Sequence, residues 1–191
     1  MQLDFRADSF RCRIYSGHDA LSAMPSDLKR LGIDRALIVC GQTVSRNTQL
    51  IEMMRSLIGD RCAAVFDEAG RHADEAIVQR VADLARRVSA DGFVAVGAGS
   101  VIMTVRLAAI VLAEARPVEE LVTIYEEEQH VARSPRLDAP KLPIINVLTA
   151  STNAQNRAGS AMRCDVKVQA ADSRCSIRRR VHHRSIGIPV R

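Results

Sequence analysis

FVAVGAGSVIMTVRLAAIVLAE, residues 93–114, is the stretch that decides the fold. Phe93 to Val96 are four apolar residues in a row, as expected of a strand covered on both faces in a parallel sheet. The chain then turns through Gly97-Ala98-Gly99-Ser100 and enters a segment, Ser100 to Glu114, that is apolar over most of a helical circumference. Such a helix is expected to be deeply buried. Gly97 and Gly99 permit a tight turn and close approach of a ligand to the backbone, and Ser100 is placed to cap the helix. The free N–H groups and partial positive charge of the first turn then favour an anion such as phosphate. As a dinucleotide fingerprint the turn is incomplete, because Ile102 stands where G-x-G-x-x-G has its third glycine. The same residues could equally form a plain strand-to-helix turn.

The unit recurs on both sides of this stretch. Toward the N-terminus, ALIVC (36–40) and CAAVF (62–66) are short apolar runs that read as further core strands, and PIINVL (143–148) follows on the other side. Between them, Leu50, Met53, Met54 and Leu57 mark one helical face ending at Gly59, and Ile77, Val81, Leu84 and Val88 mark another. Pro25 and Gly32 bracket an earlier helix, and Ser9 to Tyr15 alternates like a half-buried edge strand. Strands alternating with helices predict an α/β fold, a Rossmann-like parallel sheet with helices on both faces. Residues 118–140 carry a weaker pattern, and the acidic run Glu126 to Glu128 reads as a solvated face or loop. In an open parallel sheet, ligands bind beyond the carboxyl ends of the strands. The loops there, Cys40 to Thr43, Asp67 to His72, Gly97 to Ser100 and Thr149 to Asn153, are all small or polar.

Composition narrows the classes. At 191 residues the chain is sized for one domain, and 47% hydrophobic with 26% charged residues suits a globular protein. Val101 to Ala113 is the longest apolar stretch, too short for a bilayer span and broken by Arg106. With no secretion signal and five scattered cysteines lacking any C-x-x-C pair, a cytoplasmic location is expected. The net charge of +5 comes from the end of the chain: residues 173–191 hold six of the 27 basic residues and none of the 22 acidic ones. The rest is nearly neutral, and aromatic side chains for base stacking are scarce, which disfavours nucleic acid as a partner. Two domains of the sequence are therefore expected, 1–172 as the α/β body and 173–191 as a basic tail without helical stripe or strand alternation, disordered or aberrant. His182-His183 lacks an acidic partner nearby in sequence and gives no metal pair.

VGAGSVIMTVRLAAI (96–110) resembles the G-G-G-S-x-x-D-T-x-K segment of the iron-containing alcohol dehydrogenase family, and LPIINVLTASTNAQNRAGSAMR (142–163) resembles that family's P-T-T-x-x-T-[GN] segment. The resemblance covers roughly residues 9–170. It implies an N-terminal domain that binds NAD or NADP, with hydride exchanged between nicotinamide and a small alcohol or carbonyl. It also implies a divalent metal, iron or zinc, held by Asp and His residues of a helical C-terminal domain for which this chain has no matching segment. Carried over by position, Gly97, Ala98, Gly99 and Ser100 hold the pyrophosphate, Thr149 and Thr152 line the cofactor site, and no metal ligand or catalytic residue is assigned. Gly41 and Gln42 follow the first core strand where an acidic residue would favour NAD, and so leave NADP unopposed there. Met103 and Arg106 stand where the family has aspartate and lysine, and Leu148 and Ala150 where it has proline and threonine. On this reading the chain is the cofactor-binding half, inactive alone and a candidate homo-oligomer; the alternative is a non-enzymatic nucleotide-binding module.

Overall fold

A computed structural model describes residues 13–126, 131–156, 159–163, 174–178 and 183–187. The strands are β1 (Ile14–Ser16), β2 (Ala36–Cys40), β3 (Cys62–Phe66), β4 (Gly92–Gly97), β5 (Ile124–Glu126), β6 (Val131–Arg133), β7 (Ile144–Leu148), β8 (Gly159–Arg163), β9 (Arg174–Arg178) and β10 (His183–Gly187). Helices α1 (Met24–Leu31), α2 (Gln42–Asn47), α3 (Leu50–Ile58), α4 (Glu75–Arg87) and α5 (Gly99–Glu114) connect them. Six strands form one sheet in the order β1-β10-β7-β4-β2-β3, and every neighbouring pair is parallel.

The four apolar runs read from sequence are its middle and one edge. Along β2 and β4 alternate residues face opposite layers. Leu37, Val39, Phe93 and Ala95 pack with Val78, Val81, Val105 and Ala109 of α4 and α5. Ala36, Ile38, Cys40, Val94 and Val96 pack with Leu28 of α1 and Ile51 and Met54 of α3. Both faces are thus covered, which is why these strands carry no polar residue. Each fully buried Leu, Ile or Phe here contributes about 1.5–3 kcal/mol relative to exposure.

Helix α1 ends at Gly32, whose φ of +68° is the left-handed conformation that glycine adopts without strain, with its N–H returned to the Leu28 and Lys29 carbonyls. Helix α5 is buried along almost its whole length because it lies over β4, beside α4 and under β8 and the turn at Ala154–Asn156.

Several expectations are displaced. Ser100 is not the cap of α5: the N-cap is Ala98, and no side chain caps the helix. The buried face of α3 is Ile51, Met54 and Ile58, leaving Met53 55% exposed. That of α4 is Val78, Val81, Ala82 and Ala85. Apolar residues at adjacent positions let either of two neighbouring stripes be read, and packing selects one. The segment 118–140, weakly patterned in sequence, holds an antiparallel pair of β5 and β6 that includes Glu126, read as a solvated face or loop; Glu127 and Glu128 lie outside the described residues. The proposed start of the edge strand, residues 9–12, also lies outside them. In the basic segment, β9 pairs antiparallel with β8, and β10 inserts between β1 and β7.

Candidate functional site

The sheet order places the site. From β2 the chain crosses by α3 on one face to β3, then returns by α4 on the other face to β4, on the far side of β2. The loops leaving β2 and β4 therefore depart toward opposite faces, the switch point at which open parallel sheets have their ligand crevice, at the strands' carboxyl ends. Gly41 and Gln42 form one lip; Gly97, Ala98, Gly99 and Ser100 form the other.

At the second lip the backbone is built for close approach. Ala98 has φ −94° and ψ −166°, extended values that any residue adopts, so alanine in place of a glycine costs nothing there. The first backbone bond of α5 runs from Ile102 N–H to the Ala98 carbonyl (3.3 Å), so the amides of Gly99, Ser100 and Val101 precede the helical ladder. No acidic side chain occupies this first turn. A Cβ on Gly97 would lie 2.6 Å from Val101 Cγ2, so helix and strand meet there without room for a side chain.

The loop after β7 closes over this turn. Thr149 donates its N–H to the Gly97 carbonyl (3.2 Å). A Cβ on Gly99 would come within 3.1 Å of Thr152 Oγ1 and 3.4 Å of Ala154 Cβ. Thr152 Oγ1 accepts the Ala154 N–H (3.1 Å), which fixes the tip of the loop. Thr149 and Thr152 are both partly exposed and stand beside the glycine turn.

The first lip has a similar construction. Gly41 caps α2 through its backbone, its carbonyl accepting N–H bonds from Val44 (3.0 Å) and Ser45 (3.1 Å), and a Cβ on it would lie 2.9 Å from the Ala69 carbonyl oxygen. Ala69 in turn donates to the Cys40 carbonyl (3.1 Å). Gln42 opens α2 and is exposed. The four rim loops are thus joined in two pairs.

Two residues take roles in the site that the sequence reading did not give them. Asp67, from the end of β3, accepts a hydrogen bond from Ser45 Oγ (3.1 Å) and brings a carboxylate to the lip that Gly41 leaves uncharged. Burial and this carboxylate push the Cys40 thiol up to about 11. Arg106, read as an interruption of an apolar helix, is 1% exposed and donates from Nη2 to the Ala154 carbonyl (2.8 Å). Burial lowers its guanidinium to about 10, so it stays charged at neutral pH. His72 is exposed. Among the described residues no three His, Cys, Asp or Glu side chains come together to hold a metal ion.

This arrangement can be set beside known proteins. The family model for iron-containing alcohol dehydrogenase matches residues 12–173. The chain belongs to the iron-containing alcohol dehydrogenase family. Among curated relatives of this family member, maleylacetate reductase of Pseudomonas knackmussii is 31% identical over 108 residues, 56% of this chain and 30% of the reductase. The iron-containing alcohol dehydrogenase of Thermococcus thioreducens superposes with a TM-score of 0.73 at 18% identity, over 94% of this chain and 45% of the other. Sulfoacetaldehyde reductase from Bifidobacterium kashiwanohense, solved in complex with NAD+, gives 0.73 at 16% identity over 98% and 46%. The family member described here spans less than half the length of these proteins. Among its described residues no helix is long and apolar enough to cross a membrane.

Proposed function

We propose that this chain binds NAD or NADP across the crevice between β2 and β4, as the nucleotide-binding part of an oxidoreductase that moves hydride between a small alcohol and its carbonyl. The observation that carries this reading is the α5 amino end, where the close packing at Gly97 and Gly99 excludes side chains and leaves the first amides outside the helical ladder, at the reversal point of a parallel sheet. Gly99, Ser100 and Val101 would offer their amides to the diphosphate, while Thr149 and Thr152 would bound it from above. A ribose would lie toward Gly41 and Gln42, where the close approach of Gly41 to Ala69 excludes a side chain. When bound, the nicotinamide supplies the hydride chemistry; the protein groups here bind and orient it.

The described residues offer no donor set that fits the metal expected from the family, so the reading gives this chain dinucleotide binding and no metal step. Without that electrophile we propose that the chain alone does not turn over. Cys40 and Cys62 are free thiols, in keeping with a cytosolic setting.

The test is titration of the full chain with NADH and with NADPH, followed by calorimetry and nicotinamide fluorescence. Saturable binding of either is expected. No association at about 1 mM, which corresponds to only about 4 kcal/mol, would refute the reading. Turnover of maleylacetate or small aldehydes by the chain alone would refute the proposal that it is inactive by itself.

A further inference from the structure

We infer that Arg106 is a positioning residue for the dinucleotide diphosphate, holding the loop after β7 over the amino end of α5; the inference rests on the cofactor reading above. A charged side chain with 1% exposure is costly inside an α/β core unless it is hydrogen-bonded. The hydrogen bond to the Ala154 carbonyl supplies part of that compensation. Arg106 lies seven residues into α5, and side chains on a helix lean toward the N-terminus, so its guanidinium reaches back toward the glycine turn.

There Nη2 meets the carbonyl of Ala154 at 2.8 Å, across 48 residues of sequence. Ala154 is the residue whose Cβ lies 3.4 Å from where a Gly99 side chain would be, and whose N–H is held by Thr152 Oγ1. One residue, Ala154, thus links three parts: its carbonyl is tied to α5 by Arg106, its N–H to Thr152, and Thr152 faces Gly99. The contact between Gly99 and Thr152, which borders the free amides of the first turn, is set by this chain of contacts. The fixed positive charge adds to the field of the helix amino end at the same place.

Losing this hydrogen bond from a charged donor is expected to weaken diphosphate binding by about tenfold. The experiment compares the full-length chain with Arg106→Lys, Arg106→Met and Arg106→Gln, by NADH titration, thermal unfolding and amide exchange of residues 152–155. Lysine keeps a cationic donor and is expected to bind within about threefold of the parent. Methionine is expected to lose about tenfold in affinity and to expose the 152–155 amides. Should the methionine chain fail to fold, glutamine, a neutral donor, is expected to show an intermediate loss. Parent-like binding by a folded Met or Gln variant, or a Lys variant as weak as they are, would overturn the inference alone. Failure of the parent to bind NADH would overturn the cofactor reading and this inference with it.

Discussion

Replacing Gly99 by alanine tests whether the loop after β7 really sits on the glycine turn. The new methyl would stand 3.1 Å from Thr152 Oγ1 and 3.4 Å from Ala154 Cβ, against an ordinary contact of 3.4–4 Å. The hydroxyl must therefore retreat by about 0.3 Å or more. Overpacking costs about 1–3 kcal/mol, and the lower end applies because Thr152 is partly exposed on a loop: about 1 kcal/mol. Thr152→Ala alone forfeits the bond from Ala154 N–H, again about 1 kcal/mol. If methyl and hydroxyl meet, removing the hydroxyl relieves the crowding, and the double variant loses only about 1 kcal/mol in total. If they do not, the losses add to about 2 kcal/mol. Urea unfolding of the four proteins reads this difference, which exceeds the ~0.3–0.5 kcal/mol scatter of independent sites. A strictly additive double variant would refute the apposition of the two loops.

Other outcomes follow from the same geometry. A Gly92→Ala change places a Cβ 2.5 Å from Ile33 Cδ1 at the opposite end of β4; it is expected to cost about 1–3 kcal/mol in urea unfolding while NADH affinity, by titration, stays unchanged. Cys40 ionises at 9.0 ordinarily and at about 11 in the fold, so its contribution to stability is complete below pH 9 and is lost as pH rises from 9 to 11. Unfolding measured across that window should show a decline that Cys40→Ser reduces. Asp67→Asn removes the carboxylate beside Ser45 and should raise affinity for NADPH relative to NADH by about fivefold, on the order of 1 kcal/mol; an unchanged ratio places the ribose elsewhere.

The sheet was legible because its strands are buried on both faces, so that 36–40, 62–66, 93–96 and 143–148 announce themselves as apolar runs of strand length. Their order was not, since neighbours in a parallel sheet are chosen by crossovers that leave no local mark. The glycine turn was readable from sterics, whereas the capping role given to Ser100 failed because a serine near a helix start does not reveal which residue has extended dihedrals; here that residue is Ala98. The hairpin β5–β6 is built of three-residue strands, too short for a period to show. Arg106 and Asp67 entered the site only through contacts 48 and 22 residues away in sequence. A charged residue in an apolar helix is marked as unusual by its surroundings, but its partner is set by tertiary packing alone.

The central claim is that the first amides of α5 hold a diphosphate, and backbone NMR during NADH titration tests it most directly. The account predicts that the Gly99, Ser100 and Val101 amides show the largest saturable shifts, with Thr149 and Thr152 following, and that inorganic pyrophosphate moves the same signals. Saturable NADH binding that leaves these amides unshifted would contradict it.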